Sequence, residues 1–188
     1  AIARAKGITK EKIRKIADKC EKFIHGNPSG IDVNQVLSDT PLLFSKENGA
    51  KQLPFSLDSY LLIIDTGVVG ITKYTVEHVK ENLKTYKPYI DELGNITKKV
   101  IKPLKEKNID LIGEYMYKAH SLLQKIGVSH EKNDEVVELC KNNNAKGAKL
   151  TGGGAGGCCI CLCDTKENAL KIQDELKEKG YLSWMVTV

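Results

Sequence analysis

The chain has 188 residues, of which 41% are hydrophobic and 28% charged, and its formal net charge is +5. This composition is typical of a globular chain with one or two small domains, and no apolar run approaches the roughly 20 residues that cross a bilayer. The lysines and arginines alternate with acidic residues along predicted helix faces, as in the stretch 105–107. The composition therefore excludes a membrane span and does not favour a nucleic-acid partner.

The amino-terminal residues lack the apolar core of a secretory signal, which predicts a cytoplasmic protein. They also lack a starting methionine and begin in a helical pattern, so we expect the chain to be part of something longer.

The first half of the chain predicts a helix followed by a small hairpin. Apolar side chains recur at helical spacing over residues 9–24, and a short stretch without assigned structure follows Asp32 as far as Val36. Two strands are predicted after it, 42–45 and 52–55, joined by a turn at 47–49.

The second half predicts strands separated by helices. A continuous apolar run at 60–65 is typical of a buried strand, and a last helix at 165–179 has Asp164 as its expected N-cap. The other predicted elements are helices at 75–86, 94–107, 109–126 and 132–145 and strands at 158–163 and 181–186. Strands alternating with helices over short connections predict an α+β sandwich.

Four of the six cysteines lie in the strand predicted at 158–163. Because strand residues alternate between faces, Cys159, Cys161 and Cys163 should share one face and Cys158 should lie on the other. The spacing is not that of paired zinc ligands. We therefore predict that these cysteines act as small apolar residues of a buried strand, which fits a reducing compartment.

A turn at residues 25–32 carries the sequence His-Gly-Asn-Pro-Ser-Gly-Ile-Asp. Glycine-rich turns leave backbone N–H groups free to meet an oxygen-rich ligand. Glu21 lies one helical turn before this segment and Asp32 ends it, so the two carboxylates are candidates to hold Mg²⁺ and a substrate oxygen side by side. The alternative for Glu21 is a surface glutamate, and the alternative for Asp32 is a helix N-cap.

A second glycine-rich segment, 151–157, has five glycines in seven residues. Such segments bring backbone N–H groups close to phosphate oxygens. The Lys-Ser/Thr of a Walker A loop does not follow, and a strand rather than a helix comes next, which excludes the dinucleotide fingerprint. A flexible hairpin connection is the alternative interpretation.

These two segments, in this order and at this spacing, resemble the motifs of the mevalonate kinase family. That family belongs to the superfamily that also holds galactokinase, homoserine kinase and phosphomevalonate kinase. The resemblance implies phosphoryl transfer from ATP to mevalonate with Mg²⁺ as cofactor. It also implies a ferredoxin-like C-terminal kinase domain over 56–188, preceded over 1–55 by a remnant of an N-terminal domain similar to ribosomal protein S5.

The resemblance implies a role for each matching residue. Asp32 matches the catalytic acidic residue, commonly drawn as the base that takes the alcohol proton, and Glu21 matches the magnesium ligand. Substrate-binding positions are His25, Ser29, Gly30 and Thr72, and nucleotide-phosphate positions are Thr151, Gly152, Gly153, Gly154 and Gly156. For His25 and Ser29, capping of a helix end is an equally good interpretation.

The family's first motif, with its lysine, and its second, a Gly-Leu-Gly-Ser-Ser-Ala phosphate loop, have no match in this chain. We expect the N-terminal portion of the same enzyme as a partner, with self-association into a homodimer as the alternative, and no kinase activity from the 188 residues alone. Two other functions stay open: another small-molecule kinase of the superfamily, or a non-catalytic structural or binding half of the fold.

Overall fold

A computed structural model describes residues 6–25, 30–45, 47–70 and 72–188 of the chain. The chain divides into two units, Ala1–Phe55 and Ser56–Val188. Among the described residues, no helix is both long and apolar enough to cross a membrane.

The first unit pairs two helices with a small hairpin. Its elements are α1 (Lys10–His25), α2 (Ile31–Leu37), β1 (Leu42–Ser45) and β2 (Gly49–Gln52). The two helices contact each other, and the Arg14 guanidinium donates a hydrogen bond to the Asn34 side-chain oxygen at 3.0 Å. The strands pair antiparallel, with Leu42 opposite Gln52.

Two predictions for the first unit are wrong. The segment after Asp32 is helical, because Val33 and Leu37 lie four residues apart and are both buried. The second strand is Gly49–Gln52 rather than 52–55. Gly49 takes a left-handed φ of 65° that closes the hairpin early, and Pro54 has no N–H with which to extend the ladder.

The second unit is built on a four-stranded antiparallel sheet. Its strands are β3 (Tyr60–Asp65), β4 (Gly147–Thr151), β5 (Cys158–Cys163) and β6 (Leu182–Thr187), in the spatial order β4-β5-β3-β6. Helices connect β3 to β4 and β5 to β6, whereas a loop alone joins β4 to β5. This β-α-β-β-α-β order is ferredoxin-like, and the predicted α+β class is confirmed.

Helices of the second unit have local start and stop signals. They are α3 (Thr72–Glu81), α4 (Leu83–Lys99), α5 (Ile101–Glu106), α6 (Ile109–Ile126), α7 (Glu131–Asn142) and α8 (Lys166–Glu178). At the start of α6, the Asn108 side chain accepts the Leu111 N–H at 3.0 Å. At its end, Gly127 takes a φ of 78°, the left-handed conformation that stops a helix.

The core of the second unit lies between one face of the sheet and helices α7 and α8. Its fully buried members include Leu62, Ile64, Val136, Cys140, Cys159, Cys161, Cys163, Ile172 and Leu176. The cysteines of β5 alternate as predicted, since Cys159, Cys161 and Cys163 are buried in this core and Cys158 is half-buried. Their interpretation as residues of a buried strand is confirmed.

Several boundaries in the second unit differ from the predictions. Helix α4 starts at Leu83 and continues through Pro88, which removes only one hydrogen bond from the helix. Strand β4 was not predicted, because its five residues begin with glycine and lack β-branched apolar residues.

At the start of α8 the N-cap is Thr165 rather than Asp164. The Thr165 hydroxyl accepts the Asn168 N–H at 3.1 Å. Asp164 instead lies 3.3 Å from the Lys146 ammonium, an ion pair between residues distant in sequence that local patterns do not reveal.

Candidate functional site

The glycine-rich segment 151–157 ends β4 and forms the hairpin loop that leads into β5. Five of its residues have left-handed backbone: Gly152, Gly154, Ala155, Gly156 and Gly157, with φ between 55° and 113°. Side chains with a Cβ rarely adopt this conformation, which explains the density of glycine. The hairpin interpretation and the ligand-binding interpretation of this segment are therefore compatible.

Two other loops hold the glycine loop from the side. The first follows β3, where the Thr66 hydroxyl donates to the Gly157 carbonyl at 2.6 Å and the Gly157 N–H donates to the Val68 carbonyl at 2.7 Å. The second follows α6, where the Val128 carbonyl accepts the Ala155 N–H at 2.8 Å. These bonds fix the second half of the loop by its backbone.

Close packing of backbone explains why glycine recurs here. A Cβ on Gly70 would lie 2.6 Å from the Gly154 carbonyl oxygen, and one on Gly156 would lie 2.8 Å from the Val68 carbonyl oxygen. A Cβ on Gly154 would overlap the Val128 carbonyl oxygen. The three loops therefore interlock only because these positions have no side chain.

An open groove of about 360 Å³ lies along the glycine loop. It is lined by Gly70, Thr72, Thr151, Cys158 and glycines of the loop. Within the described part of the chain, the backbone N–H groups of Gly152, Gly153 and Gly154 donate to no protein acceptor. Three such groups in succession form a concave donor surface suited to an anion.

The N-terminus of α3 stands at the same groove. The Thr75 hydroxyl donates to the Gly153 carbonyl at 2.9 Å, and a Cβ on Gly153 would lie 2.5 Å from the Thr72 hydroxyl oxygen. Because the N-terminal end of a helix carries partial positive charge, α3 adds to the attraction of the loop for negative charge.

Lys149 supplies a cation on the strand that enters the loop. Its ammonium donates to the Leu150 carbonyl at 2.5 Å. Burial lowers the pKa of this amine, since the charged form is poorly solvated there.

The first unit positions the two predicted carboxylates on neighbouring helices. Glu21 lies on α1, where it is half-buried and engaged in an interaction. Asp32 is exposed in the first turn of α2. Asp32 is therefore not the N-cap, which is Gly30 with a φ of 81°. The backbone of His25 ends α1. The structure does not describe the side chain of His25 or any part of Ser29.

Metal-binding capacity is limited in the described ranges, which contain no group of three His, Cys, Asp or Glu side chains placed to hold a metal ion. Mg²⁺ is commonly held by one or two carboxylates and by substrate phosphates rather than by an all-protein cage. A single carboxylate such as that of Glu21 therefore fits the chemistry of a magnesium-nucleotide complex.

Comparison with known proteins agrees with this geometry. Residues 100–182 match the family described as GHMP kinases C terminal. The chain is 32% identical over 178 residues to a mevalonate kinase from Pyrococcus horikoshii, covering 89% of this chain and 52% of that protein. It is 34% identical over 169 residues to a mevalonate kinase from Pyrococcus abyssi, covering 85% of this chain and 50% of that protein.

A solved structure shows the same fold over almost the whole chain. The mevalonate kinase of L. major, in complex with R-mevalonate, superposes with a TM-score of 0.84 at 27% identity, covering 95% of this chain and 59% of that one. Residues 100–182 therefore form a GHMP kinase C-terminal domain. It spans about half the length of the curated relatives that it matches.

The structure brings some of the predicted site residues together. Thr72 and the predicted phosphate-binding residues of 151–156 line or adjoin one groove in the second unit. Glu21, Gly30 and Asp32 belong to the first unit. Their roles remain predictions.

Sequence reasoning missed the residues outside the glycine loop that hold it in place. Thr66 lies 91 positions from its partner Gly157, so no local pattern connects the two. Asn133 is fully buried and bonds Gly156 through both its amide atoms. In the sequence, Asn133 is one of several polar residues at the start of a helix. Its burial, which only the structure reveals, is what indicates that the amide must have hydrogen-bond partners.

Proposed function

We propose that the complete protein containing this chain is a mevalonate kinase, which transfers the γ-phosphoryl group of ATP to the 5-hydroxyl of mevalonate. The observation that carries the proposal is the run of unpaired N–H groups at Gly152, Gly153 and Gly154, in a groove that the start of α3 also lines. Such a surface suits nucleotide phosphates. Relatives named mevalonate kinase at 32% and 34% identity support the choice of substrate.

The proposed step is an in-line displacement. The 5-hydroxyl oxygen of mevalonate forms a bond to the γ-phosphorus while the bond between that phosphorus and the β,γ-bridging oxygen breaks, and the electron pair leaves with ADP. Asp32 takes the hydroxyl proton. The exposed position of Asp32 in the first turn of α2 supports this role, because it leaves the carboxylate accessible to a substrate.

Charge in the transition state is balanced by the remaining site residues. The loop 151–157 and the start of α3 donate hydrogen bonds and partial positive charge to phosphate oxygens. Glu21 would hold Mg²⁺, which neutralises phosphate charge when bound. His25, Ser29, Gly30 and Thr72 would contact the mevalonate.

The complete enzyme requires protein beyond these residues. Mg²⁺ held by Glu21 and phosphates alone is weakly bound, so we propose that an N-terminal portion of the same enzyme completes the site. Phe23 and Ile16 on α1 support this, since their side chains are 92% and 56% exposed.

All six cysteines are free, which supports a cytoplasmic location.

A turnover assay tests the proposal. ADP release is measured with mevalonate, galactose and homoserine, for the complete enzyme and for residues 1–188. We expect activity with mevalonate only, and only from the complete enzyme. Comparable turnover of galactose or homoserine would favour another kinase of the superfamily, and turnover by residues 1–188 that disappears in an Asp32→Ala variant would contradict the need for a further portion.

A further inference from the structure

The first turn of α7 contacts the end of the glycine loop through Asn133. The side chain of Asn133 is fully buried. Its amide nitrogen donates to the Gly156 carbonyl at 3.1 Å, and its amide oxygen accepts the Gly156 N–H at 3.1 Å. Both polar groups of one loop residue are therefore held by one side chain.

The beginning of the loop is held through His120 of α6. Leu150 is two residues before Gly152, and its N–H donates to the His120 Nδ1 at 3.4 Å. Because β4 is an edge strand, this N–H points away from β5 and has no strand to pair with. The imidazole therefore satisfies a buried backbone donor at the point where the strand becomes the loop.

Asp134, the neighbour of Asn133, lies beside the other ring nitrogen of His120. Its Oδ1 lies 3.1 Å from the His120 Nε2 and also accepts the Ser129 hydroxyl at 2.5 Å. Since Nδ1 accepts a hydrogen bond, the neutral ring must carry its proton on Nε2, and this atom lies beside the Asp134 carboxylate without forming a hydrogen bond to it. The first turn of α7 thus contacts the loop directly through Asn133 and lies beside His120 through Asp134.

Protonation would remove the contact to Leu150. A charged imidazole has N–H groups at both positions, so Nδ1 would face the Leu150 N–H donor to donor. His120 is only 4% exposed. Burial lowers its pKa, Asp134 from α7 opposes this, and Lys149 from β4 lowers it further. These two are the charged groups that the described structure places against the ring.

We propose that His120 is a positioning residue for the glycine loop, and that only its neutral form with the proton on Nε2 holds the strand end at Leu150. Asn133 holds the other end independently of pH. That the loop held in this way binds a nucleotide phosphate rests on the proposed function. The coupling between His120 and the loop does not depend on that function.

NMR of the 188-residue chain tests the coupling without activity. Imidazole ¹⁵N shifts report the tautomer and the titration of His120, and amide shifts of Leu150 and residues 152–157 report the loop. We expect the loop amides to move with the same midpoint as His120. A His120→Gln variant, whose amide accepts a hydrogen bond but does not titrate, should keep the wild-type shifts at pH 8 and lose the pH dependence.

Two controls and one enzyme measurement complete the experiment. His78→Gln replaces a histidine of α3 that contacts the Ile126 carbonyl and should leave the pH dependence of the loop unchanged. In the complete enzyme, the KM for ATP should rise as His120 protonates, by at most about tenfold per pH unit because one proton is linked, and His120→Gln should flatten that rise.

The outcomes separate the two proposals. Loop amides that ignore the titration of His120, or a proton found on Nδ1 in the neutral ring, would overturn the positioning role. If His120→Gln does not fold, the wild-type titration still decides. Coupled loop amides in a protein that does not use ATP would leave His120 as a positioning residue and refute the kinase.

Discussion

Gly113 of α6 and Gly147 of β4 touch backbone to backbone. A Cβ on Gly147 would lie 2.7 Å from the Gly113 carbonyl oxygen, and a Cβ on Gly113 would overlap the Lys146 carbonyl group. This approach places α6 against the edge of the sheet. It therefore brings His120 within reach of β4 and Tyr117 within 3.0 Å of the Ala145 carbonyl.

Gly113→Ala should destabilise the fold. Alanine is the better helix former, but its methyl group would force α6 away from β4, and overpacking of this kind costs about 1–3 kcal/mol. Urea unfolding of the chain measures the change. Gly94→Ala is the matched control, since a Cβ at this exposed position of α4 meets nothing within 4 Å, and it should be neutral or stabilise by up to ~1 kcal/mol.

Gly154→Ala should weaken ATP binding. It combines a left-handed φ of 78° with an overlap between the new Cβ and the Val128 carbonyl oxygen, so the loop must shift. Nucleotide affinity of the complete enzyme, measured by calorimetry, should fall by about tenfold or more, equivalent to ~1.4 kcal/mol.

Gly180→Ala controls for backbone strain alone. Gly180 has a similar φ of 84°, and a Cβ there meets nothing within 4 Å. This variant should lose some stability and keep its ATP affinity. Equal loss of affinity in both variants would show that strain, rather than the position of the loop, is responsible.

Stability should fall in mild acid because of His120. Burial lowers the pKa of His120 in the folded state below the ordinary value near 6.5, so the unfolded state binds more protons as the pH drops below that value. The stabilising effect of neutral His120 is present above pH ~6.5 and is lost toward the lower, folded-state pKa. His120→Gln should show a smaller loss.

Melting temperatures of the two proteins between pH 8 and 5 measure this difference. Carboxylates with lowered pKa, such as Glu92 beside Lys118, also lose stability in acid, but they do so equally in both proteins. Parallel curves for wild type and variant would contradict the assignment.

Local patterns explain what could be predicted from the sequence. The shared buried face of Cys159, Cys161 and Cys163 in β5 and the 3.6-residue period of α6 follow from side chains close in sequence, and both predictions are confirmed. Glycine density located the loop, because positive φ is a local requirement. The supports of the loop were not predictable in this way. Thr66, Val128 and Asn133 reach it only through the tertiary fold, from positions 91, 27 and 23 residues away.

Cys161→Ser should reduce stability and leave activity unchanged. Cys161 is fully buried, and its Sγ lies 3.8 Å from that of Cys163. Hydrogen bonding with Cys140 and Cys163, together with burial, raises the pKa of Cys161 well above the ordinary thiol value, so the residue is a neutral thiol rather than a metal-binding thiolate. A serine hydroxyl there should cost about 1–3 kcal/mol.

Unfolding in urea and metal analysis check this prediction together. Cys20→Ser is the control, because Cys20 is exposed on α1 and its replacement should change neither stability nor activity. One zinc per chain, lost on replacing Cys159 or Cys161, would contradict the purely structural role of the strand.

Asp32→Asn and Glu21→Gln should have different kinetic effects in the complete enzyme. Removing the base at Asp32 acts on the transition state, so kcat should fall by ~10²-fold or more with little change in either KM. Glu21→Gln should instead raise the Mg²⁺ concentration needed for half-maximal rate, since a neutral amide is a weaker ligand for a hard cation. Asp18→Asn, which removes one exposed carboxylate from α1, should change neither quantity. Near-normal turnover in Asp32→Asn combined with a loss of ATP affinity would reverse the two roles, placing Asp32 at the metal and leaving the proton to another group.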